Sequence, residues 1–146
     1  MKVTDRGPHG RRTVLVTGHL GYVGTVAMPV LAAARYRVTG CDTNLFDRAD
    51  FFPGGEIMDV PNIARDIRDL TPDDLAGVDA VVHLAALSND PLGQLRPGLT
   101  QEINHEGTLH VARCARAAGG GALRLRLVLL ELRAGRRGDD RRDRRS

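Results

Sequence analysis

Several residue types that would point to a particular chemistry are scarce in this sequence. It has no tryptophan, 3% aromatic residues, and 21 basic residues of which Lys2 is the only lysine. The core must therefore be built from aliphatic side chains, and chemistry that needs a lysine in the body of the chain is excluded. No run of 18 apolar residues is present, so no apolar helix of membrane-spanning length is expected.

The cysteines and the N-terminal residues bear on the cellular compartment. Cys41 and Cys114 are the two cysteines, and residues 1–13 carry no apolar signal segment. Such a chain is typical of a reduced, cytoplasmic protein that does not contact a membrane. The cysteines and the five histidines show no metal-ligand spacing, so no metal site is predicted.

The net charge of +3 comes from one end of the chain. Residues 1–121 hold 12 basic and 14 acidic side chains, whereas residues 122–146 hold nine arginines and four acids. A basic run of this kind is usually solvated, although it can contact nucleic acid. Because the excess is confined to the last 25 residues, nucleic acid is not the expected partner of the body of the chain.

Hydrophobic patterning predicts alternating strands and helices. The predicted strands are Val14–Val16, Arg37–Asp42, Ile63–Ile67 and Val78–Leu84, and the predicted helices are Val23–Arg35, a short one that starts at Thr71, and Leu99–Ala118 with Thr100 as its N-cap. This alternation predicts the α/β class, with a Rossmann-type doubly wound parallel sheet that is truncated after about the fourth or fifth strand.

Three glycines, Gly18, Gly21 and Gly24, follow the first predicted strand and open the first predicted helix. In a dinucleotide-binding turn the first glycine permits the tight turn, the second lets the backbone approach a pyrophosphate, and the third lets the helix pack on the strand. The helix N-terminus then presents N–H groups to the phosphates. Taken alone, the spacing fits a tight turn without a ligand equally well.

Asp42 adds to the glycine pattern because it ends the second predicted strand, 18 residues after Gly24. A carboxylate there can accept hydrogen bonds from a ribose diol, and it would repel a 2′-phosphate. By itself Asp42 also fits a solvated loop acid. Together with the turn, it predicts a dinucleotide site that prefers NAD to NADP.

Residues 17–24, TGHLGYVG, resemble the TGxxGYxG fingerprint of the extended short-chain dehydrogenases/reductases. Within that group the chain most resembles the NAD-dependent epimerase/dehydratase family, which acts on nucleotide-linked sugars. Further agreement lies at Asp66-Ile67, at residues 83–86 (HLAA), at residues 88–93 (SNDPLG) and at residues 104–108 (NHEGT). The resemblance covers about residues 13–119, and it implies NAD as the cofactor and a nucleotide sugar as the substrate of full-length relatives.

The resemblance also implies a role for individual residues. It places Gly18, Gly21, Tyr22, Val23 and Gly24 at the pyrophosphate, Asp42 at the adenosine ribose, Asp66 and Ile67 beside adenine, Leu84, Ala85 and Ala86 along the cofactor wall, and Ser88 and Asn104 toward the nicotinamide. Asn104 fits an ordinary helix residue that bonds neighbouring backbone equally well.

The catalytic motif of the family is missing from this sequence. Family members use a Tyr-x-x-x-Lys pair, in which the lysine lowers the pKa of the tyrosine so that it can take a proton while hydride passes to NAD. Neither Tyr22 nor Tyr36 is followed by lysine at the fourth position. No catalytic residue is therefore assigned, and the chain is expected to bind NAD without catalysing hydride transfer.

We divide the chain into a flexible N-terminus (1–12), an incomplete NAD-binding domain (13–121) and an arginine-rich tail (122–146). We interpret residues from about 120 onward as a shifted reading frame of a longer gene, since one choice of codons for Leu129–Leu132 becomes serine-rich after a one-base shift. The alternative is a genuine non-catalytic NAD-binding module whose basic tail contacts nucleic acid. An incomplete sheet would also expose an edge and favour self-association.

Overall fold

The computed structural model describes residues 10–45, 57–87, 97–119 and 126–127. Within these residues the sheet has five parallel strands in the order β3-β2-β1-β4-β5. The strands are β1 (Thr13–Thr17), β2 (Arg37–Asp42), β3 (Asn62–Ala64), β4 (Ala80–His83) and β5 (Arg126–Leu127). β1 lies between β2 and β4, as its run of aliphatic and β-branched side chains predicts.

Helical segments connect the strands. They are α1 (Tyr22–Ala33), two 3₁₀ turns (Ile67–Asp69 and Pro72–Leu75), α2 (Pro97–Gln101), a π-helical segment (Glu102–Gly107) and α3 (Thr108–Ala117). α1 continues through Pro29. The second 3₁₀ turn begins with the predicted cap: Thr71 and Asp74 form a reciprocal capping box, which satisfies backbone donors at the start of the turn.

Two apolar clusters cover the two faces of the sheet. On one face, Leu15 and Val81 of the sheet pack in a cluster with Val111 of α3. On the other face, Val14, Val16 and Val38 pack in a cluster with Met28 of α1, and Leu31 of the same helix joins them. Helices on both faces of a parallel sheet confirm the predicted Rossmann-like α/β architecture.

Two local predictions were wrong. The third strand ends at Ala64 rather than at Ile67, because the Asp66 side chain accepts a hydrogen bond from the N–H of Arg68 (2.9 Å) and starts a 3₁₀ turn. Thr100 does not cap the last long helix, because helical structure already begins at Pro97, a residue suited to a first helical position.

Some expectations fall on residues that the structure does not describe. Ser88 and most of residues 122–146 lie outside the described ranges, as do residues 1–9. The boundaries at residues 12 and 121, the shifted frame and the self-association therefore stay predictions. Among the residues that are described, no helix is both long and apolar enough to span a bilayer, and no cluster of ligand-type side chains could hold a metal ion.

Candidate functional site

The candidate site lies where the carboxyl ends of β1, β2 and β4 meet. The chain leaves β1 toward β2 and β3 on one side, then crosses to β4 on the other side of β1. Between β1 and β4 the direction of the winding reverses, and in open α/β sheets ligands bind in the crevice at such a reversal. The glycine turn between β1 and α1 lies at this position.

Gly18 holds the turn between two strands. Its φ of +71° is left-handed, and a Cβ at this position would lie 2.7 Å from the amide nitrogen of Ala85 and 2.8 Å from its Cα. Its N–H also donates to the carbonyl oxygen of Cys41 at 2.8 Å. Only glycine combines this conformation with so close an approach to the chain that leaves β4.

Gly24 and Gly21 have different surroundings. A Cβ on the buried Gly24 would collide with the backbone of Gly18 and His19, so this glycine lets α1 pack against the turn. Among the described residues, a Cβ on Gly21 would meet only the carbonyl oxygen of Gly18, at 3.3 Å. The described part of the chain therefore leaves space beside the backbone of the middle glycine.

The N-terminus of α1 suits an anion. Gly21 is the N-cap, it supplies no side-chain cap, and the first turn carries no acidic residue. Tyr22 and Val23, which follow it, are exposed. The start of an α-helix carries a partial positive charge, and here no acidic side chain of the first turn offsets it.

Asp42 is connected to the turn by a direct hydrogen bond. Its Oδ2 accepts from the N–H of Leu20 at 3.1 Å, and its Oδ1 accepts from the N–H of Asn44 at 3.2 Å. Each carboxylate oxygen has a second lone pair, so the group retains acceptor capacity for a pair of hydroxyls. Asp42 thus lies beside the glycine turn.

Asp66 and Ile67 lie one strand further out, where the chain leaves β3. Arg68 binds the carboxylate of Asp66 through Nε (3.0 Å) and Nη2 (2.8 Å), and this pairing lowers the pKa of Asp66. The side chain of Ile67 is buried and faces Gly107, where an added Cβ would lie 2.8 Å from its Cδ1. The backbone of Ile67 and the remaining lone pairs of Asp66 are therefore what this segment offers to a ligand.

The chain that leaves β4 forms the opposite wall. The N–H of Leu84 donates to the carbonyl of Thr17 (3.0 Å), Ala85 touches Gly18, and Ala86 is exposed. Asn104 holds the next residue, since its Oδ1 accepts from the N–H of Leu87 (2.8 Å) and its Nδ2 donates to the carbonyl of Leu87 (3.0 Å). Asn104 therefore fixes the segment after β4 by binding the backbone of Leu87.

A family model describes most of this chain. The model of the NAD-dependent epimerase/dehydratase family matches residues 14–130. The chain belongs to this family. The match continues past residue 119, where the sequence resemblance was expected to end, and it includes β5.

Solved structures agree with the family assignment. The chain resembles a UDP-N-acetylglucosamine 4-epimerase from Methanobrevibacter ruminantium M1, with 23% identity and a TM-score of 0.65, over 77% of this chain and 36% of that one. It also resembles an epimerase from Methanothermobacter thermautotrophicus, with 29% identity, a TM-score of 0.58 and coverage of 75% and 33%. A short-chain dehydrogenase/reductase superfamily protein from Agrobacterium tumefaciens, solved with bound NAD, is also similar. It has 28% identity and a TM-score of 0.57, over 77% of this chain and 31% of that one. The chain thus spans about a third of the length of these relatives.

Sequence reasoning about this family member missed His19. Its ring is 3% exposed and lies over Gly40 so closely that a Cβ on Gly40 would fall against the ring. Burial lowers the pKa of His19, while the charge of Asp42 and the backbone of Cys41 act in the opposite direction. Its Nδ1 is buried and has no partner among the described residues. A glycine inside the second strand was the one hint in the sequence that a neighbouring group approaches closely there.

Proposed function

We propose that this chain binds NAD through its glycine turn and Asp42. The single observation that carries the proposal is that Asp42 accepts a hydrogen bond from Leu20, inside a turn whose middle glycine is left open on its outer side by the described residues. A pyrophosphate needs N–H donors and close backbone approach, whereas a ribose diol needs a carboxylate nearby. The glycine turn offers the first and Asp42 offers the second, and the hydrogen bond from Leu20 joins the two.

The remaining assignments follow the family resemblance and the same edge of the sheet. We propose that Gly18, Gly21, Tyr22, Val23 and Gly24 surround the pyrophosphate, that Asp66 and Ile67 flank adenine, that Leu84, Ala85 and Ala86 line the cofactor wall, and that Ser88 and Asn104 lie toward the nicotinamide. When bound, NAD would supply a hydride acceptor. The protein's part is to hold the dinucleotide and to exclude a 2′-phosphate by charge.

The reaction is a proposal for the longer proteins that share this family. Solved relatives include UDP-sugar epimerases, and one is described in complex with UDP-N-acetylmuramic acid. A nucleotide sugar is therefore the substrate class that we propose for a full-length relative of this chain. This chain contains no Tyr-x-x-x-Lys pair, so we propose that it binds the cofactor without transferring hydride.

Titration calorimetry with NAD and NADP tests the proposal. We expect wild-type chain to bind NAD more tightly than NADP, and Gly21→Val to lose NAD binding because its side chain fills the space beside the turn. Gly21 has an ordinary φ of −75°, so valine is compatible with its backbone. Circular dichroism should therefore show that Gly21→Val stays folded.

Gly98→Val is the matched control, because a Cβ on Gly98 meets no atom of the described residues within 4 Å. It should bind NAD as the wild type does. Equal binding by both variants would remove the turn from the site, and no binding by wild type would overturn the proposal. Salt-sensitive binding of nucleic acid that is lost on deletion of residues 122–146 would instead favour the module with a basic tail.

A further inference from the structure

A chain of side-chain hydrogen bonds runs behind the proposed cofactor site. His83 lies at the end of β4, opposite Thr17 in the register with β1. Its Nδ1 is 2.7 Å from Oγ1 of Thr17, and its Nε2 is 2.9 Å from Oγ1 of Thr108. Thr108 in turn donates to the backbone carbonyl of Asn104 at 2.6 Å. These contacts join β1 and β4 to the π-helical segment and the start of α3.

Counting protons identifies the donor and the acceptor of each hydrogen bond in this network. A carbonyl oxygen only accepts, so the single hydroxyl proton of Thr108 is used in its bond to Asn104. Thr108 must therefore accept from His83, which places a proton on Nε2. In a neutral imidazole the other nitrogen then accepts, so the hydroxyl of Thr17 donates to Nδ1. The count assigns His83 as the neutral Nε2–H tautomer.

A second proton on His83 would break this order at Thr17. The ring would then donate to Thr17, whose hydroxyl oxygen already faces the N–H groups of Leu84 (3.3 Å) and Ala85 (3.4 Å). The hydroxyl proton of Thr17 would lose its acceptor. Thr17 directly precedes Gly18, and Gly18 touches Ala85, so the disturbance would fall at the junction between the turn and the cofactor wall.

The surroundings of His83 favour the neutral ring. The side chain is 2% exposed, and its described side-chain partners are the uncharged hydroxyls of Thr17 on β1 and Thr108 on α3. Burial alone lowers the pKa of His83, with no contribution from a described charged group. The charge of Asp42 acts on a different histidine, His19 of the glycine turn, whose pKa it raises against the effect of burial.

We propose that neutral His83 is a positioning residue that fixes the glycine turn against the wall after β4, and that protonating it weakens NAD binding. The second part rests on the proposed function, whereas the first concerns this chain without ligand. Because the folded chain disfavours the charged ring, the stabilisation from this network is complete above about pH 6.5 and is lost as the pH falls below that value.

The tautomer is tested without any cofactor. Two-bond ¹⁵N–¹H correlation spectra of the histidine rings distinguish the two neutral tautomers from the charged ring, and His83→Gln assigns the signal. We expect the Nε2–H form at mildly alkaline pH. A ring protonated at Nδ1, or a charged ring under these conditions, would overturn the inference even if NAD binds.

The positioning role is tested by NAD affinity. Thr108→Val keeps the shape of the side chain but leaves the N–H of His83 without an acceptor, and we expect NAD to bind roughly tenfold more weakly. Thr108→Ser restores the hydroxyl and should bind within about twofold of wild type. Equal affinity of the valine variant and wild type would show that the network does not position the turn.

The pH dependence is tested by comparing wild type with His83→Gln, which cannot titrate. Because burial lowers the pKa of His83 in the folded chain, we expect wild-type affinity to fall only at a pH below the ordinary pKa of histidine, and the profile of His83→Gln to be flatter. A variant that keeps the full wild-type profile would overturn the coupling between His83 and NAD binding. If wild type binds no NAD at any pH, the proposed function and the coupling both fail, while the tautomer spectrum still decides the hydrogen-bond network.

Discussion

Adding one methyl group at Gly18 tests how closely the turn is fixed against β4. Gly18→Ala places a left-handed φ of +71° on a residue with a side chain, which costs about 1–2 kcal/mol. The new Cβ would also lie 2.7 Å from the nitrogen of Ala85 and 2.9 Å from the carbonyl carbon of Leu84. Both are backbone atoms that cannot rotate away, so overpacking adds about 1–3 kcal/mol. We expect the free energy of unfolding of Gly18→Ala to be lower than that of wild type by about 2–5 kcal/mol.

Gly77→Ala is the matched control for this prediction. Gly77 has a φ of +75°, and a Cβ there meets no described atom within 4 Å, so the control carries the backbone strain without the contact. Urea unfolding followed by circular dichroism gives the free energy of unfolding for both variants and wild type. The difference between the variants should be about 1–3 kcal/mol. Equal losses would refute the close contact between the turn and β4.

Three further predictions address the ribose acid, the packing under Gly107 and the cysteines. Asp42→Ala should weaken NAD binding by about 1–3 kcal/mol in calorimetry, since a hydroxyl pair loses its charged acceptor; unchanged affinity would remove Asp42 from the site. Gly107→Ala should lower the free energy of unfolding by roughly 1 kcal/mol, because its Cβ meets Cδ1 of Ile67 at 2.8 Å. Ile67→Val removes that atom and should recover most of the loss, so a double-mutant cycle without coupling would contradict the packing. Burial raises the pKa of Cys41 to about 12 and also raises the pKa of Cys114. Neither thiol should react with a disulfide reagent at mildly alkaline pH until the chain is unfolded, and rapid labelling of folded protein would contradict their burial.

The parts of the fold that follow from local pattern were predictable. A short β-branched run between polar residues identifies β1, and the bounds of β2 agree with the prediction at both ends. The glycine turn was recognisable because its spacing encodes a backbone path, not a set of contacts. The third strand was misjudged because Asp66 can bond the backbone two residues ahead, and this competes with strand pairing.

The hydrogen-bond network was not predictable, because its members are distant in sequence. Thr17 and His83 lie 66 residues apart and meet only because the register of β1 with β4 pairs them. The close packing of His19, a residue of the turn, likewise depends on Gly40 of β2. Such contacts depend on sheet register, which hydrophobic patterning alone does not determine.

Backbone amide NMR of the ¹⁵N-labelled chain, titrated with NAD at mildly alkaline pH, tests the central claim most directly. The N–H groups of residues 18–24 and of Asp42 should show the largest and saturable shift changes, because they would surround the pyrophosphate and the ribose. Signals from Gly77 and Gly98, where an added Cβ would meet no atom of the described ranges within 4 Å, should stay in place. If NAD leaves the signals of the turn unmoved, or shifts residues elsewhere more strongly, the glycine turn does not hold the dinucleotide.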